Sequence, residues 1–467
     1  MTDRYDAIVI GTGQAGPSLA ARLAGAGMRV AIAERDKVGG TCVNTGCIPT
    51  KTLIASAAVA WTVSRAGEYG VVLRGAPKVD MKAAKARKDA IVSMNRDSVT
   101  SWLRSTSGVT LISGPARFES PREVRVGDAL LSAERIFLNV GGRAVTTAIG
   151  GLSDIPFWTN SSIMGVDFVP PHLVVVGGSY VGLEFGQMYR RFGSQVTIVE
   201  MSPRLIARED EDVSAAVRDI LEREGIEVRT GAKCISAEKG PSGVRIRVDC
   251  EEGSPVVDGT HLLVAVGRQP NTDDLGLEKA GVKMDARGYI VVDDELKTNV
   301  PGIWALGDCN GRGAFTHTSY NDFQIVAANL LDGEHRRVSD RIETYALFID
   351  PPLGRAGMTE AKARASGRRI LVGKRPMTKV ARAVEKGETL GFMKAVVDAD
   401  SKEILGAAIL GVTGDEVIHS ILDVMYARAP YTLIERAMHI HPTVSELLPT
   451  LFGELKSPEA DTVSGTG

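Results

Sequence analysis

The chain has little of what marks a membrane, secreted or nucleic-acid-binding protein. None of its apolar runs is long enough to cross a bilayer, so we expect no membrane-spanning helix. It has no long basic run and its formal net charge is -2, so nucleic acid is not expected as a partner. The first residues carry acids where a signal peptide would need a basic start. We therefore expect a cytoplasmic protein without a membrane partner.

Cysteine is scarce, with five residues among 467. So few cysteines in so long a chain exclude a disulfide scaffold and favour a cytosolic protein with one redox-active pair. The other three, Cys234, Cys250 and Cys309, are predicted to be packing residues. We assign no residues to a resident metal. The length exceeds what one core usually supports, so roughly two to four domains are expected.

A nucleotide-binding pattern occupies the N-terminal segment. A buried strand leads into GTGQAG (residues 11–16), and a helix follows. Gly11 permits a tight turn, Gly13 lets a pyrophosphate approach the backbone, and Gly16 allows the helix to pack against the strand. The helix N-terminus offers free N–H groups to phosphates, and Glu34, at the end of the next strand, is placed to bind a ribose. These features predict a dinucleotide site.

The same pattern recurs in the middle of the chain. An apolar strand is followed by GGSYVG, a helix and a second strand that ends at Glu200. Gly177 and Gly182 are the first and last glycines of this loop, and Ser179 replaces the middle one. Glu200 would bind a free ribose 2′-hydroxyl and repel a 2′-phosphate, which favours NADH; Arg204 is near enough in sequence to soften that preference. Two such loops predict two dinucleotides held face to face, one a tightly bound flavin and one an exchangeable nicotinamide.

A cysteine pair lies shortly after the first glycine-rich loop. Cys42 and Cys47 are separated by four residues in GTCVNTGCIPTK (residues 40–51). A pair at this spacing, opening a helix just behind a cofactor loop, can close a small, exchangeable disulfide. The thiolate is the reactive form of cysteine, and the positive end of a helix favours it. The placement predicts that electrons pass from a bound nucleotide into sulfur.

These motifs resemble those of the pyridine nucleotide–disulfide oxidoreductases, the flavoproteins that include dihydrolipoamide dehydrogenase, glutathione reductase and mercuric reductase. The resemblance extends to about Phe452 and is carried further by IWALGD (residues 303–308), VAVGRQPN (264–271) and HPTVSE (441–446). Two other segments are similar to those of mercuric-reductase-like proteins and bacterial reactive-chlorine-resistance flavin reductases: FTHTSYND (315–322) and DPPLGR (350–355).

The resemblance implies an α/β fold with two Rossmann-like dinucleotide-binding domains, for FAD and NAD(P), and an α+β dimerisation domain at the C-terminus. The FAD-binding domain would be discontinuous, with 1–147 as its first part and 270–337 as its second. Residues 148–269 would form the NAD(P)-binding domain, and 338–467 the dimerisation domain with a disordered tail. The implied cofactors are FAD and NADH or NADPH, and the implied assembly is a homodimer that shares its active site across the interface.

The resemblance also implies which residues carry out the chemistry at the sulfur pair. Cys47 would lie against the flavin as a charge-transfer thiolate, and Cys42 would be the thiol that meets the external substrate. His441, supplied by the partner subunit, would take the Cys42 proton, and Glu446 would orient the imidazole. His439 is expected to have no role there.

Other residues are expected to contact the cofactors. Lys51 would approach the flavin ring and pair with Glu184, and Tyr180 would cover the flavin until the nicotinamide enters. Asp308 would bond the ribityl chain of FAD. The remaining cofactor-binding residues are Thr41 for FAD and Gly267 for NAD(P).

The implied activity is transfer of electrons from NAD(P)H through FAD to the sulfur pair, and then to a disulfide, metal-ion or oxidant acceptor. The chain departs from the mercuric reductases in two ways that argue against efficient Hg(II) capture. The tail 453–467 has no cysteine pair, and no N-terminal CxxC module occurs. His317 is predicted to be structural, and Arg355 to form an ion pair at an interface rather than bind substrate. Dihydrolipoamide dehydrogenase remains an alternative, as does a non-enzymatic redox sensor or complex subunit that carries a flavin.

Overall fold

The computed structural model describes residues 2–75, 78–146, 149–249 and 254–458. The predictions for the side chain of Cys234, for Cys250, for the domain boundary at 147–148 and for tail residues 459–467 lie outside the described residues. Within the described ranges, no helix combines the length and the apolar character that a membrane crossing requires.

Strands and helices alternate along the first part of the chain. Its strands up to residue 144 are β1 (Thr2–Arg4), β2 (Ala7–Ile10), β3 (Val30–Glu34), β4 (Val109–Ser113), β5 (Ala116–Ser120), β6 (Glu123–Val126), β7 (Ala129–Ser132), β8 (Arg135–Leu138) and β9 (Gly142–Ala144). Its helices are α1 (Ala15–Gly25), α2 (Gly40–Asn44), α3 (Cys47–Ser64) and α4 (Met81–Ser105).

The middle of the chain repeats this alternation. Its strands are β10 (His172–Val176), β11 (Gln195–Val199), β12 (Glu227–Arg229), β13 (Lys233–Gly240), β14 (Gly243–Asp249), β15 (Val256–Gly259) and β16 (His261–Val264), and its helices are α5 (Tyr180–Phe192) and α6 (Glu211–Arg223). A return segment follows, with β17 (Arg268–Pro270), α7 (Leu277–Ala280), β18 (Ile303–Ala305) and α8 (Thr316–Leu331).

The last part of the chain is richer in antiparallel strands. It contains β19 (Thr344–Leu347), β20 (Leu353–Gly357), α9 (Glu360–Ala365), β21 (Ile370–Pro376), α10 (Ala381–Glu385), β22 (Phe392–Asp398), β23 (Ile404–Leu410), α11 (Gly414–Tyr426), α12 (Thr432–Glu435) and α13 (Leu448–Gly453).

A parallel sheet in the order β18-β8-β2-β3-β4 carries the first glycine-rich loop. Successive side chains of β2 point to opposite faces, and both faces are covered. Ala7 and Val9 pack in a core with α1 and α8, whereas Ile8 and Ile10 pack in a core with β5, β6 and β7. β18 pairs with β8, although more than 150 residues of chain separate the two strands. The sheet therefore combines strands from the N-terminal part of the chain with one from the return segment.

A second parallel sheet, in the order β12-β11-β10-β16, carries the second glycine-rich loop. The last part of the chain forms an antiparallel sheet in the order β19-β20-β23-β22-β21. Helix α11 packs on that sheet, where Ile418 and Ile421 meet Ile409 in one core. The predicted fold class, two nucleotide-binding α/β units and an α+β unit at the C-terminus, is confirmed.

Candidate active site

The cysteine pair lies where two helices meet. Cys42 is inside the short helix α2, and Cys47 is the first residue of α3. The turn between them is tight, because a Cβ on Gly46 would lie 2.9 Å from the Thr41 carbonyl oxygen. Both cysteines are free thiols in this structure, and they lie close enough to change each other's pKa.

The two sulfurs are not equivalent. The hydrogen bond from Cys42, a second one with Thr316 and the positive charge of Lys51 lower the pKa of Cys47 from 9.0 to about 6. The same hydrogen bond and burial raise the pKa of Cys42. The two thiols therefore titrate as a coupled pair, and the negative charge is favoured on Cys47 over Cys42.

Lys51 supplies the positive charge and is itself held by a buried acid. It lies one helical turn after Cys47, and its Nζ is 2.5 Å from Glu184 Oε2. It also lies over the Phe348 ring, 4.4 Å from the centroid. Glu184 is on α5, which follows the second glycine-rich loop, so the ion pair joins the two nucleotide-binding units beside the sulfurs.

One cavity of about 1210 Å³ contains both the first glycine-rich loop and the cysteine pair. Its volume exceeds the range of pockets for drug-sized ligands and suits a dinucleotide. The predicted site residues that line it are Gly11, Gly13, Glu34, Thr41, Cys42, Cys47, Lys51, Tyr180, Glu184 and Asp308. A dinucleotide bound at the loop therefore shares a cavity with the sulfurs.

The first loop has the shape that a pyrophosphate requires. Gly11 has φ +102°, and a Cβ there would lie 2.3 Å from the Asn139 carbonyl oxygen. A Cβ on Gly16 would lie 2.2 Å from the Gly11 oxygen, so Gly16 provides close packing rather than cavity lining. The Asn139 side chain donates a hydrogen bond to the Gly13 carbonyl at 3.1 Å. These contacts fit FAD, because any side chain at these positions would displace the backbone that approaches the phosphates.

Two polar groups in this cavity agree with a bound cofactor. Asp308 lies 3.3 Å from Arg268, and burial raises the pKa of its carboxyl group. The Oδ1 atom of Asn44 is buried and has no hydrogen-bond partner among the residues that the structure describes. Glu34 Oε2 accepts the backbone N–H of Thr12 at 3.1 Å, which holds this carboxylate at the loop.

The second glycine-rich loop lies apart from the cavity that contains the sulfurs. Gly177 has φ +121°, and a Cβ on Gly182 would lie 1.9 Å from the Gly177 oxygen. Glu200 Oε2 accepts the Gly178 N–H at 2.5 Å, so the acid is fixed against the loop. Gly267 has φ +137° with open space around it. These residues do not line the cavity around the sulfurs, whereas Tyr180, from the same loop, does.

Arg204 bonds to the backbone of its own segment. Its guanidinium donates to the backbone carbonyls of Ala207 and Glu209, at 3.3 and 3.2 Å. The Glu200 carboxylate is held by the backbone N–H groups of Gly178 and Ser202. Of these two charged side chains, the acid is therefore the one fixed against the loop.

His441 and Glu446 are brought together, but not to the cysteines of their own chain. His441 Nδ1 lies 2.7 Å from Glu446 Oε2, and the histidine side chain is 76% exposed. Neither residue lines the cavity that contains Cys42 and Cys47. His439 is half-buried, and its Nδ1 lies 3.3 Å from the Ala437 carbonyl oxygen.

Several residues given only structural or uncertain roles are also placed. Cys309 is fully buried, and burial raises the pKa of its thiol to about 12, which makes it unreactive. His317 stacks on Phe315 and lies 2.8 Å from the Thr344 carbonyl oxygen. Arg355 is 1% exposed and is bonded to Glu209, so it joins the C-terminal unit to the middle unit and is closed to substrate.

Sequence reasoning missed the residues that reach the sulfur pair from distant segments. Thr316 Oγ1 lies 3.0 Å from Cys47 Sγ, across 269 residues of chain. Phe315 stacks with Tyr345, at 5.6 Å between ring centroids, and both line the cavity. No local pattern indicates either contact, since each depends on how the return segment crosses the N-terminal sheet.

The comparisons with known proteins agree with this geometry. A sequence profile described as pyridine nucleotide-disulphide oxidoreductase matches residues 5–322, and a profile of the dimerisation domain of the same proteins matches 344–452. A probable pyridine nucleotide-disulfide oxidoreductase from Escherichia coli strain K12, RclA, is 36% identical over 97% of this chain and 100% of its own length. A dihydrolipoyl dehydrogenase from Thermus scotoductus is 35% identical over 95% of each chain.

Other similar proteins are a mercuric reductase and a solved structure. The mercuric reductase of Bacillus cereus is 31% identical over 89% of this chain and 66% of its own length. The solved structure is the Cu(II) complex of the HOCl-induced flavoprotein disulfide reductase RclA from Escherichia coli, with a TM-score of 0.88 and 35% identity, covering 97% of this chain and 99% of that one. With two glycine-rich loops, a sulfur pair in the first cavity and profiles that span most of its length, the chain belongs to the pyridine nucleotide–disulfide oxidoreductase family, whose members use a flavin and a pyridine nucleotide.

Proposed function

We propose that this chain is an FAD-dependent NAD(P)H:disulfide oxidoreductase. It takes two electrons from NAD(P)H and uses them to reduce the Cys42–Cys47 disulfide; the resulting dithiol then reduces a disulfide, a metal ion or an oxidant. The observation that carries the proposal is the shared cavity, in which a cysteine with a pKa of about 6 lies with the first dinucleotide loop. A low thiol pKa is the mark of a cysteine that reacts or exchanges.

The reaction balances, and it takes up a proton from solvent only if both sulfurs end as thiols. NAD(P)H gives a hydride, which carries two electrons and one proton, and the S–S bond breaks to give one thiol and one thiolate, or two thiols after a further proton is taken up. When bound, FAD would supply the redox chemistry that couples hydride transfer from NAD(P)H to reduction of the disulfide. The chain holds the extra negative charge on Cys47, beside Lys51, and keeps the proton on Cys42.

Cys42 is the sulfur proposed to meet the external acceptor. Its attack requires loss of a proton, and its raised pKa means that a base must remove it. We assign that role to His441 of the partner subunit, with Glu446 holding the ring. This assignment is supported by the 2.7 Å contact between them and by the exposure of the imidazole away from its own sulfur pair. The homodimer is supported by the match to the family's dimerisation domain.

The domain assignment belongs to the same proposal. Residues 1–147 and 270–337 would form the FAD-binding domain, because β18 joins the sheet that carries the first loop. Residues 148–269 would bind NAD(P), and the fixed Glu200 carboxylate supports NADH as the preferred form. Residues 338–467 would form the dimerisation domain. We place the protein in the cytoplasm, where reduced pyridine nucleotides are supplied and thiols stay reduced.

Dihydrolipoamide dehydrogenase activity is a second candidate. It is supported by a dihydrolipoyl dehydrogenase that is 35% identical over 95% of this chain. That enzyme would run the same electron route in the opposite direction.

A solved relative carries Cu(II), which supports Cu(II) as one acceptor to test.

The test is an acceptor panel on the purified holoenzyme, with lipoamide, glutathione disulfide, Hg(II), Cu(II) and oxygen. We expect NADH to bleach the flavin and at least one acceptor to turn over repeatedly. Cys42→Ser should leave flavin bleaching intact and lower acceptor reduction by on the order of a hundredfold or more. Cys309→Ala is the matched control, since that thiol is buried outside the cavity, and it should turn over normally. Unchanged turnover of Cys42→Ser would remove the proposed electron route.

A further inference from the structure

Cys47 has a second hydrogen-bond partner besides Cys42. The Oγ1 atom of Thr316 lies 3.0 Å from Cys47 Sγ. Among the described residues this is the one hydrogen bond that the Thr316 side chain makes. The hydroxyl is therefore not used to cap a helix or to bond a nearby carbonyl, and its proton is available to the sulfur.

The direction of this hydrogen bond follows from the charge on the sulfur. A thiolate has no proton, so it accepts hydrogen bonds and cannot donate them. With Cys47 ionised, the Thr316 hydroxyl is the donor, and a hydrogen bond to a charged acceptor is stronger than one between neutral groups. Loss of this donor removes an interaction that exists for the thiolate and is much weaker for the thiol.

The surrounding elements hold Thr316 in place. It is the first residue of α8, and Cys47 is the first residue of α3, so the positive ends of two long helices meet at the sulfur. The preceding residue, Phe315, stacks with His317 and with Tyr345, at 5.3 and 5.6 Å between ring centroids. The Phe315 N–H also donates to Thr318 Oγ1 at 3.1 Å, which fixes the first turn of α8.

The other groups that act on Cys47 are few. The Cys42 thiol donates to it, Lys51 attracts its charge, and Glu184 repels it. Lys51 and Glu184 form an ion pair, so their long-range effects on the sulfur largely oppose each other. Of the groups outside the cysteine segment, Thr316 is then the one whose hydroxyl contacts the Cys47 sulfur directly.

We propose that Thr316 is a positioning residue for the sulfur pair: its hydroxyl donates to Cys47 Sγ and stabilises the thiolate form of that sulfur. The proposal rests on the redox role assigned to the pair. It adds a residue outside the cysteine segment to the electron route, and it predicts that the hydroxyl, rather than the size of the side chain, is what the site requires.

The test compares Thr316→Val, which keeps the shape and removes the hydroxyl, with Thr316→Ser, which keeps the hydroxyl. Both are made in the Cys42→Ser holoenzyme, where Cys47 is the one remaining thiol of the pair. The readout is the pH midpoint of the long-wavelength absorbance that a thiolate gives in contact with oxidised flavin. We expect Thr316→Val to raise the midpoint by about one pH unit or more, and Thr316→Ser to stay within a few tenths of the parent.

An unchanged midpoint in Thr316→Val would overturn the proposal, and so would an equal shift in Thr316→Ser. If a variant loses FAD, the pH dependence of Cys47 alkylation by iodoacetamide, assigned by peptide mass mapping, gives the same midpoint. The proposed function fails by a different result, normal acceptor reduction in Cys42→Ser with Thr316 intact. That outcome leaves the titration interpretable, because the titration reports only the ionisation of Cys47.

Discussion

Lys51 Nζ lies 2.5 Å from Glu184 Oε2, and this ion pair joins the helix that begins with Cys47 to the helix that begins with Tyr180. The Glu184 side chain is 4% exposed, whereas that of Lys51 is 34% exposed. Glu184 also accepts the Phe348 N–H at 3.1 Å. The buried carboxylate therefore depends on its partner more than the lysine does.

The first prediction concerns the stability of this pair. Lys51→Met leaves a buried carboxylate without a cation, and we expect it to lower the free energy of unfolding by about 1–3 kcal/mol, less than for a fully buried pair because Lys51 is partly solvated. Urea denaturation of the purified protein measures this. Adding Glu184→Gln should recover part of the loss, since a neutral amide needs no cation.

Lys362→Met is the matched control for the lysine change. Lys362 lies 2.9 Å from Glu343, and both side chains are more than half exposed. Such surface pairs contribute about 0–1 kcal/mol, so this variant should unfold almost like the parent. Equal losses in Lys51→Met and Lys362→Met would show that burial of Glu184 does not matter.

The second prediction is a pH dependence of the reduced enzyme. The pKa of Cys47 is lowered from 9.0 to about 6, first by the hydrogen bond from Cys42. The thiolate is therefore the main form at pH 7, and it is lost as the pH falls through about 6. The long-wavelength absorbance of the two-electron-reduced holoenzyme should be half lost near pH 6, and Lys51→Met should move this midpoint upward, because Lys51 favours the charged form. A midpoint near the ordinary value of 9.0 would contradict the placement of Cys47.

The third prediction tests whether the active site is shared between two chains. His441→Ala alone should lower turnover by on the order of a hundredfold or more. Cys42→Ser alone should also be inactive with external acceptors. A heterodimer of the two single variants has one site with an intact Cys42 and, from the partner subunit, an intact His441. Mixed protomers should therefore regain about a quarter of wild-type activity after random reassociation.

The complementation has a clear contrary outcome. If His441 served the cysteines of its own chain, the mixture would contain no intact site and would stay inactive. The control is a mixture of Cys42→Ser protomers with Cys42→Ser/His441→Ala protomers, which should not recover under either arrangement. Steady-state turnover with the best acceptor of the panel measures the two single variants and the two mixtures.

The fourth prediction concerns the choice of pyridine nucleotide. Glu200 is held against the second loop by the N–H groups of Gly178 and Ser202, at 2.5 and 2.7 Å. Glu200→Arg removes the negative charge and adds a positive one, so kcat/KM for NADPH relative to NADH should rise by about tenfold or more. Glu200→Gln separates the loss of the acid from the gain of the cation and should give a smaller change. An unaltered ratio in both variants would show that Glu200 does not contact the ribose.

The glycine-rich loops and the strands around them could be predicted because their causes are local. Gly11 and Gly177 adopt φ +102° and +121°, conformations that L side chains rarely adopt. Each loop follows an uninterrupted apolar run, residues 7–10 and 173–176, and both runs are buried in parallel sheets. The residues within a few positions of one another therefore determined the two nucleotide-binding units and the placement of the cysteine pair.

The chemistry of the site depends on segments that are distant in sequence. Nothing around Thr316 indicates that its hydroxyl would meet Cys47, 269 residues away. Likewise, the segment that contains His441 has a recognisable pattern, yet only the folded chain shows the imidazole exposed and apart from its own sulfurs. The sequence by itself determined which residue types are present and which short turns they form. The family resemblance already named Cys47 as the thiolate, but the tertiary structure supplies the physical reason, because a thiol's pKa depends on donors and charges that are brought to it across the whole fold.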